Sequence, residues 1–163
     1  KILTIYEGTT AIQANDLVGR KTARDGGTVA KAIAAQIRQT EAELAKGSSN
    51  AQAVGKRLAA AREAFEQAVD FIVANTKGNP NAAFAGSVPY LMLAGNLVAG
   101  WQMARALLVA EALSAKGQDK AFMDAKIITA RFYADHILSR APGVAASIVD
   151  GAEGVTAMAI EAF

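Results

Sequence analysis

Apolar residues recur at steps of three, four and seven along most of this 163-residue chain. In the segment 50–76 the residues with this spacing are Val54, Leu58, Phe65, Val69 and Ile72, which would share one face of an α-helix. No stretch of five or more residues alternates between apolar and polar side chains, as a half-buried strand would. The pattern therefore predicts an all-α fold, and 52% hydrophobic residues are enough for one core.

Glycine and proline divide the helical pattern into segments. Gly26-Gly27, the polar loop 47–50 and the turn 75–81 each interrupt it. Pro89 lies inside another segment, so either that helix begins near Ser87 or a longer helix bends there. We expect an up-down bundle of four to five main helices over residues 10–22, 28–46, 50–76, 82–116 and 118–140, followed by short helices at 144–149 and 155–162.

The fifth predicted helix carries large apolar residues at helical spacing. We expect the following side chains to lie on its inner face: Phe122, Ala125, Ile128, Phe132 and either Asp135 or His136. Asp119 is a suitable residue to cap the N-terminus of this helix.

Arg62 and Glu66 are one turn apart on the third predicted helix. We expect them to form an ion pair on the surface, worth about 0.2–0.5 kcal/mol.

Composition excludes several classes of function. The 17 basic and 15 acidic residues are interspersed, which is unlike the clustered charge of nucleic-acid-binding proteins. The chain has no cysteine, so disulfides and thiolate metal sites are excluded, and with His136 as the only histidine we expect no metal site. The longest apolar run, 88–99, is too short and too interrupted to span a membrane. No signal peptide is visible, and we expect a cytoplasmic location.

One stretch near residue 7 combines groups that suit proton transfer. Apolar residues lead to a single carboxylate, Glu7, which is followed by Gly8 and by two threonines that open a helical pattern. Apolar neighbours and the exclusion of water make a carboxylate more basic, which is how a general base is tuned. Gly8 has no side chain, so a bulky ligand can approach the backbone there. The alternative interpretation is a solvated turn with Glu7 near the positive end of a helix.

The string Ile5-Tyr6-Glu7-Gly8-Thr9-Thr10-Ala11-Ile12-Gln13, followed by Asp16-Leu17 and Gly19-Arg20-Lys21, resembles the last catalytic segment of the acyl-CoA dehydrogenase family. The resemblance implies that Glu7 abstracts the α-proton of an acyl-CoA thioester while the β-hydrogen leaves as hydride to the flavin of FAD. It also implies that Gly8 lies against the substrate and that FAD contacts Thr9, Thr10 and Ala11, the last through its backbone. The implied electron acceptor is electron-transfer flavoprotein.

A second resemblance covers the rest of the chain. It is to the extra helical domain at the C-terminus of some members of that family, including the 3-methylmercaptopropionyl-CoA dehydrogenase-like branch. The residues that carry it are Asn79-Pro80-Asn81, Val88-Pro89-Tyr90, the string 100–105, the string 130–136 and the string 151–154. We therefore expect residues 1–25 to end the dehydrogenase core and residues 26–163 to form a helical extension that serves packing and homo-oligomer contacts.

The sequence after Gln13 lacks a glycine-rich loop that would bind a dinucleotide. We therefore expect a flavin-binding region upstream of this piece and an isolated chain that is inactive. The competing hypothesis is a non-catalytic helical module for oligomerisation or interaction, in which the match around Glu7 is chance. A protein that lies on a lipid surface is a third possibility, which the capped turns and the net charge of +2 disfavour.

Overall fold

The structure, a computed structural model, describes residues 9–155 and 157–162. All regular structure in these ranges is helical. The α-helices, named α1 to α8 in order, are Thr9–Asp16, Thr28–Leu44, Ser49–Asn75, Pro80–Ala85, Ser87–Ala115, Lys120–His136, Ala141–Val149 and Ala152–Val155. A π-helical turn, Leu17–Ala23, continues α1, and 3-10 turns occupy Leu138–Arg140 and Ile160–Ala162. The predicted all-α fold is confirmed.

Helix α3 is the centre of the bundle. Helices α2, α5, α6 and α7 all pack against it. Its predicted inner face is confirmed, because the side chains concerned are at most 6% exposed: Val54, Leu58, Phe65, Val69 and Ile72. Short turns join the long helices that pack on one another, which is the arrangement of an up-down bundle.

Helix α5 begins at Ser87, and Pro89 therefore lies in its first turn. A proline is tolerated there because the backbone N–H that it lacks would have no partner inside the helix. Gly86 separates α5 from α4, whose N-terminus is capped by the Asn79 side chain, which accepts from the N–H of Ala82 at 3.3 Å. Of the two alternatives for Pro89, the helix start near Ser87 is confirmed.

A glycine lets α5 approach the turn that follows α6. A Cβ atom built on Gly100 would lie 2.6 Å from Cδ2 and 2.9 Å from Cγ of Leu138. Leu138 is 1% exposed, so its side chain is enclosed by the core. Because interiors are close-packed, such a Cβ would force the neighbouring atoms to shift.

We expect Gly100→Ala to lower the free energy of unfolding by about 1 kcal/mol. Alanine is the better helix former by about 1 kcal/mol, but overpacking costs about 1–3 kcal/mol. The matched control is Gly95→Ala in the same helix, where an added Cβ meets no atom within 4 Å, and it should stabilise the protein by about 0.5–1 kcal/mol. Urea unfolding of both variants measures the two changes. Equal stabilisation by both would show that Leu138 moves aside without cost.

The predicted inner face of α6 is wrong. Phe122, Ile128 and Phe132 are 58%, 69% and 60% exposed, and Ala125 is exposed as well. The face that packs against α5 and α3 is centred instead on two small residues, Ala130 and Ala134, each 1% exposed, with Ile127 and Tyr133 partly buried beside them. Small residues let helices approach closely, whereas phenylalanines on that face would hold them apart.

The predicted cap at Asp119 is also wrong. Its φ of 42° is in the left-handed region, and its side chain makes no capping hydrogen bond. An N-cap residue needs an extended backbone to bring its side chain over the first turn. The start of α6 is held instead by Asp124, whose carboxylate accepts from the Ser114 hydroxyl and from the Lys120 ammonium, both at 2.6 Å.

The predicted Arg62–Glu66 ion pair forms, but the expectation that it lies on the surface is wrong, because only 7% of the Arg62 side chain is exposed. Its guanidinium donates to both carboxylate oxygens of Glu41 at 2.8 and 3.1 Å and to Glu66 at 2.7 Å. Arg38 donates to both oxygens of Glu66 at 2.7 Å. Burial alone would lower the pKa of Arg62, but the hydrogen bonds and charges of Glu41 and Glu66 outweigh it and raise that pKa above its usual value.

Candidate functional site

The predicted catalytic segment is described from Thr9 onwards. Glu7 and Gly8, the predicted base and the glycine beside it, lie outside the described residues. Thr9, Thr10 and Ala11 form the first turn of α1, where Thr9 is half-buried and the other two are exposed. A ligand held by other parts of a protein can therefore reach this turn, and its contact with FAD stays a prediction.

The segment is anchored to the bundle through one side chain per turn. Ala14 and Val18 are 0% exposed and Thr22 is 1% exposed, at steps of four residues. Val18 belongs to the same hydrophobic cluster as Val69 of α3 and as Leu97 of α5. The core thus extends across the predicted boundary between residues 25 and 26, and the boundary itself stays a prediction.

A buried hydrogen bond fixes the π-helical turn against α5. The hydroxyls of Thr22 and Tyr90 are 2.9 Å apart. The Tyr90 ring stacks on Phe65 of α3, with 5.7 Å between ring centroids and 2° between ring planes. Burial raises the pKa of Tyr90, and the hydrogen bond with Thr22 opposes this only in part, so the hydroxyl stays protonated at neutral pH.

The turn between this segment and α2 is set by two glycines and one carboxylate. Gly26 and Gly27 have φ angles of 68° and 79°, a region that glycine enters without strain. The Asp25 carboxylate accepts from the N–H of Gly27 at 3.0 Å and from the N–H of Val29 at 3.1 Å. The predicted turn at Gly26-Gly27 is confirmed, and the Asp25 carboxylate gives the Val29 N–H, in the first turn of α2, a hydrogen-bond acceptor.

A cavity of about 330 Å³ opens between the π-helical turn, α2 and α5. Most of its lining is apolar and includes Leu17, Val29, Ile33, Leu91, Ala94 and Val98. Its polar members are Lys21, Thr22 and Tyr90, of which the last two are bonded to each other. The cavity is not evident from the sequence, because its walls come from four segments, including Phe65 of α3, that become neighbours only in the fold.

Residues 9–155 and 157–162 contain neither a metal-binding cluster nor a membrane-spanning helix. Those residues include no group of three or more histidine, aspartate or glutamate side chains that could hold a metal ion. His136 packs instead against the ring of Phe132, with 4.4 Å between ring centroids. None of the described helices combines the length and the hydropathy that a membrane span requires.

Comparison with known proteins places this fold in a family. Residues 29–159 match the family described as acetyl-CoA dehydrogenase C-terminal like. The chain is 54% identical over 138 residues to 3-methylmercaptopropionyl-CoA dehydrogenase of Ruegeria pomeroyi, an alignment that covers 85% of the chain and 24% of that protein. It is 33% identical over 154 residues to the broad-specificity linear acyl-CoA dehydrogenase FadE5 of Mycobacterium tuberculosis, again with 85% and 24% covered.

The chain thus spans about a quarter of the length of these two relatives. The matched family description names the C-terminal part, and it covers α2 to α8 of the structure. This chain therefore belongs to the acyl-CoA dehydrogenase family, within its acetyl-CoA dehydrogenase C-terminal-like group.

Proposed function

We propose that this chain is the part of an FAD-dependent acyl-CoA dehydrogenase that carries the α-proton base, Glu7. The observation that carries the proposal is the string 5–13, which resembles the family's catalytic segment and departs from its usual residue at Ala11. Two further observations support it. Both relatives are named as acyl-CoA dehydrogenases, and the helix that follows Glu7 is packed on the bundle through Ala14 and Val18.

Glu7 would take the α-proton of the acyl-CoA thioester onto its carboxylate. The backbone N–H of Glu7 would donate to the thioester carbonyl, where negative charge develops as the proton leaves. Bound FAD supplies the acceptor for the hydride from the β-carbon, so two C–H bonds break and one C=C bond forms. Gly8 would leave room for the acyl chain beside the carboxylate.

The residues assigned to FAD fit that role by their accessibility. Thr10 and Ala11 are exposed on the first turn of α1, and Thr9 is half-buried beside them. Hydroxyls and backbone groups in this position can reach a cofactor that upstream parts of the polypeptide hold. The isolated chain is then expected to be inactive, since it carries the base without the rest of the flavin site.

The bundle would hold the catalytic segment in place and contribute to assembly. The Thr22–Tyr90 hydrogen bond and the burial of Val18 fix the helix that begins two residues after Glu7. The outward Phe122 and Phe132 of α6 support association of the whole protein with itself. In the same proposal the enzyme works in the cytoplasm on acyl-CoA substrates and passes electrons to electron-transfer flavoprotein.

Purification of the whole polypeptide tests the proposal. We expect it to be yellow, with FAD bound, and we expect an acyl-CoA thioester to bleach the flavin absorbance under anaerobic conditions. The 163-residue chain alone should purify colourless and leave acyl-CoA unchanged. A whole polypeptide that neither binds FAD nor oxidises acyl-CoA would contradict the proposal and favour a non-catalytic helical module.

A further inference from the structure

The cavity beside the catalytic segment has the dimensions of a small-molecule site. Its volume of about 330 Å³ lies within the range of about 300–1,000 Å³ that is typical of such sites. It has room for on the order of ten groups the size of a water molecule. A chain of eight to ten carbons would therefore fill it, at roughly one carbon per such group.

The interior of the cavity suits an apolar chain. Leu17, Ile33 and Ala94 contribute aliphatic surface to its wall. The hydroxyls of Thr22 and Tyr90, which also line it, are hydrogen-bonded to each other and so offer little to a polar ligand. Gly95 faces open space, since a Cβ built there meets no atom within 4 Å.

The rim of the cavity carries apolar surface and one lysine. Val29 and Val98 line it and are 58% and 40% exposed, so apolar surface stands open to water. Covering this surface with an apolar ligand removes it from water, which favours binding of the ligand. Lys21 is exposed and also lines the cavity.

Among the described residues, the ammonium group of Lys21 has no counter-ion. Two cations of the surrounding elements are paired, Arg20 with Asp16 at 3.0 Å and Lys31 with Asp70 at 2.7 Å. The carboxylate of Asp25 is occupied by backbone N–H groups. The ammonium group of Lys21 forms no ion pair or hydrogen bond with the residues that the structure describes. An anion at the mouth would complement this ammonium group.

We propose that this cavity binds a straight-chain aliphatic carboxylate of medium length, with its chain against Leu17, Ile33 and Ala94 and its carboxylate at Lys21. This proposal goes beyond the function proposed above and does not depend on the role of Glu7. Affinity should rise about two- to fourfold for each methylene from hexanoate to decanoate, because each one buries more apolar surface.

The test uses the whole polypeptide and a decanoic acid that carries a photoreactive diazirine at its far end. We expect the label on peptides from residues 17–33 and 90–98, with competition by decanoate. Gly95→Leu should abolish labelling, because the new side chain fills open space in the cavity. Its matched control is Gly143→Leu, also at an exposed helical glycine with no atom within 4 Å of an added Cβ, which should label as the wild type does.

Lys21→Gln tests the charge. It should weaken decanoate binding about two- to fivefold, as expected for an exposed ion pair, and leave binding of uncharged decanol unchanged. Lys46→Gln is the control at an exposed lysine that does not line the cavity.

The proposal is wrong if the label maps elsewhere, if Gly95→Leu leaves it in place, or if the cavity goes unlabelled because other parts of the protein fill it. It is also wrong if phosphatidylcholine vesicles compete as well as decanoate, since the ligand would then be a membrane.

Discussion

Arg62→Leu is expected to lower the free energy of unfolding by about 3 kcal/mol, because it leaves Glu41 charged and largely buried without its partner. The Arg62 side chain is 7% exposed and that of Glu41 is 16% exposed, so water can replace the lost hydrogen bonds only in part. Arg62 also joins α2 to α3, since Glu41 lies on the first of these helices and Glu66 on the second. Urea unfolding followed by circular dichroism gives the change in free energy.

Two control variants separate the buried charge from the exposed part of the same network. Arg38→Leu removes an exposed arginine from Glu66, which keeps its bond to Arg62, and should cost about 0–1 kcal/mol. Arg62→Leu combined with Glu41→Leu removes both members of the pair and should recover most of the stability lost in the single variant. If the double variant is no more stable than Arg62→Leu, the loss comes from packing and not from an unpaired charge.

Features that depend on a few neighbouring residues were predicted from the sequence. The inner face of α3 follows from the spacing of Val54 through Ile72, and burial confirms it. The start of α5 follows from Pro89, whose missing N–H restricts where a helix can begin. The turn at Gly26-Gly27 follows from the freedom of glycine at positive φ. Each of these features depends only on residues that are close together in the sequence, so the sequence was enough to predict it.

Features that depend on distant partners were missed. The orientation of α6 is decided by how closely it approaches α5, so alanines at 130 and 134 face inward and larger residues face out. The burial of Arg62 is decided by Glu41, which is 21 residues away on another helix. The Thr22–Tyr90 bond joins residues 68 apart. The periodicity of a single helix shows which of its faces is most hydrophobic. Which face is buried also depends on how closely its side chains can pack against the neighbouring helices.

The same distinction between local and distant residues applies to the two candidate sites, Glu7 and the cavity. The role of Glu7 rests on a string of consecutive residues, so the sequence alone was enough to propose it. The cavity near Lys21 depends on four segments that the chain brings together only when folded. A site built from one segment can be read from the sequence, whereas a site built from several needs the structure.

The proposed base makes the most demanding prediction for activity. In the whole polypeptide, Glu7→Gln is expected to reduce the rate of flavin reduction by acyl-CoA about 100- to 10,000-fold, the contribution typical of a positioned general base. Glutamine has nearly the same shape as glutamate and cannot accept the α-proton, so FAD content and unfolding temperature should be unchanged. Stopped-flow absorbance of the flavin measures the rate, and the flavin spectrum measures cofactor content.

A second readout separates proton removal from hydride transfer. With an acyl-CoA analogue that has no transferable β-hydrogen, the wild-type enzyme should exchange the α-proton with deuterium from solvent, and Glu7→Gln should not, because exchange needs the base alone. Glu43→Gln makes the same chemical change at an exposed position of α2 and should leave both exchange and reduction at wild-type rates. If Glu7→Gln retains both activities while Glu43→Gln behaves as the wild type, the base is another residue, and Glu7 is a solvated charge before a helix.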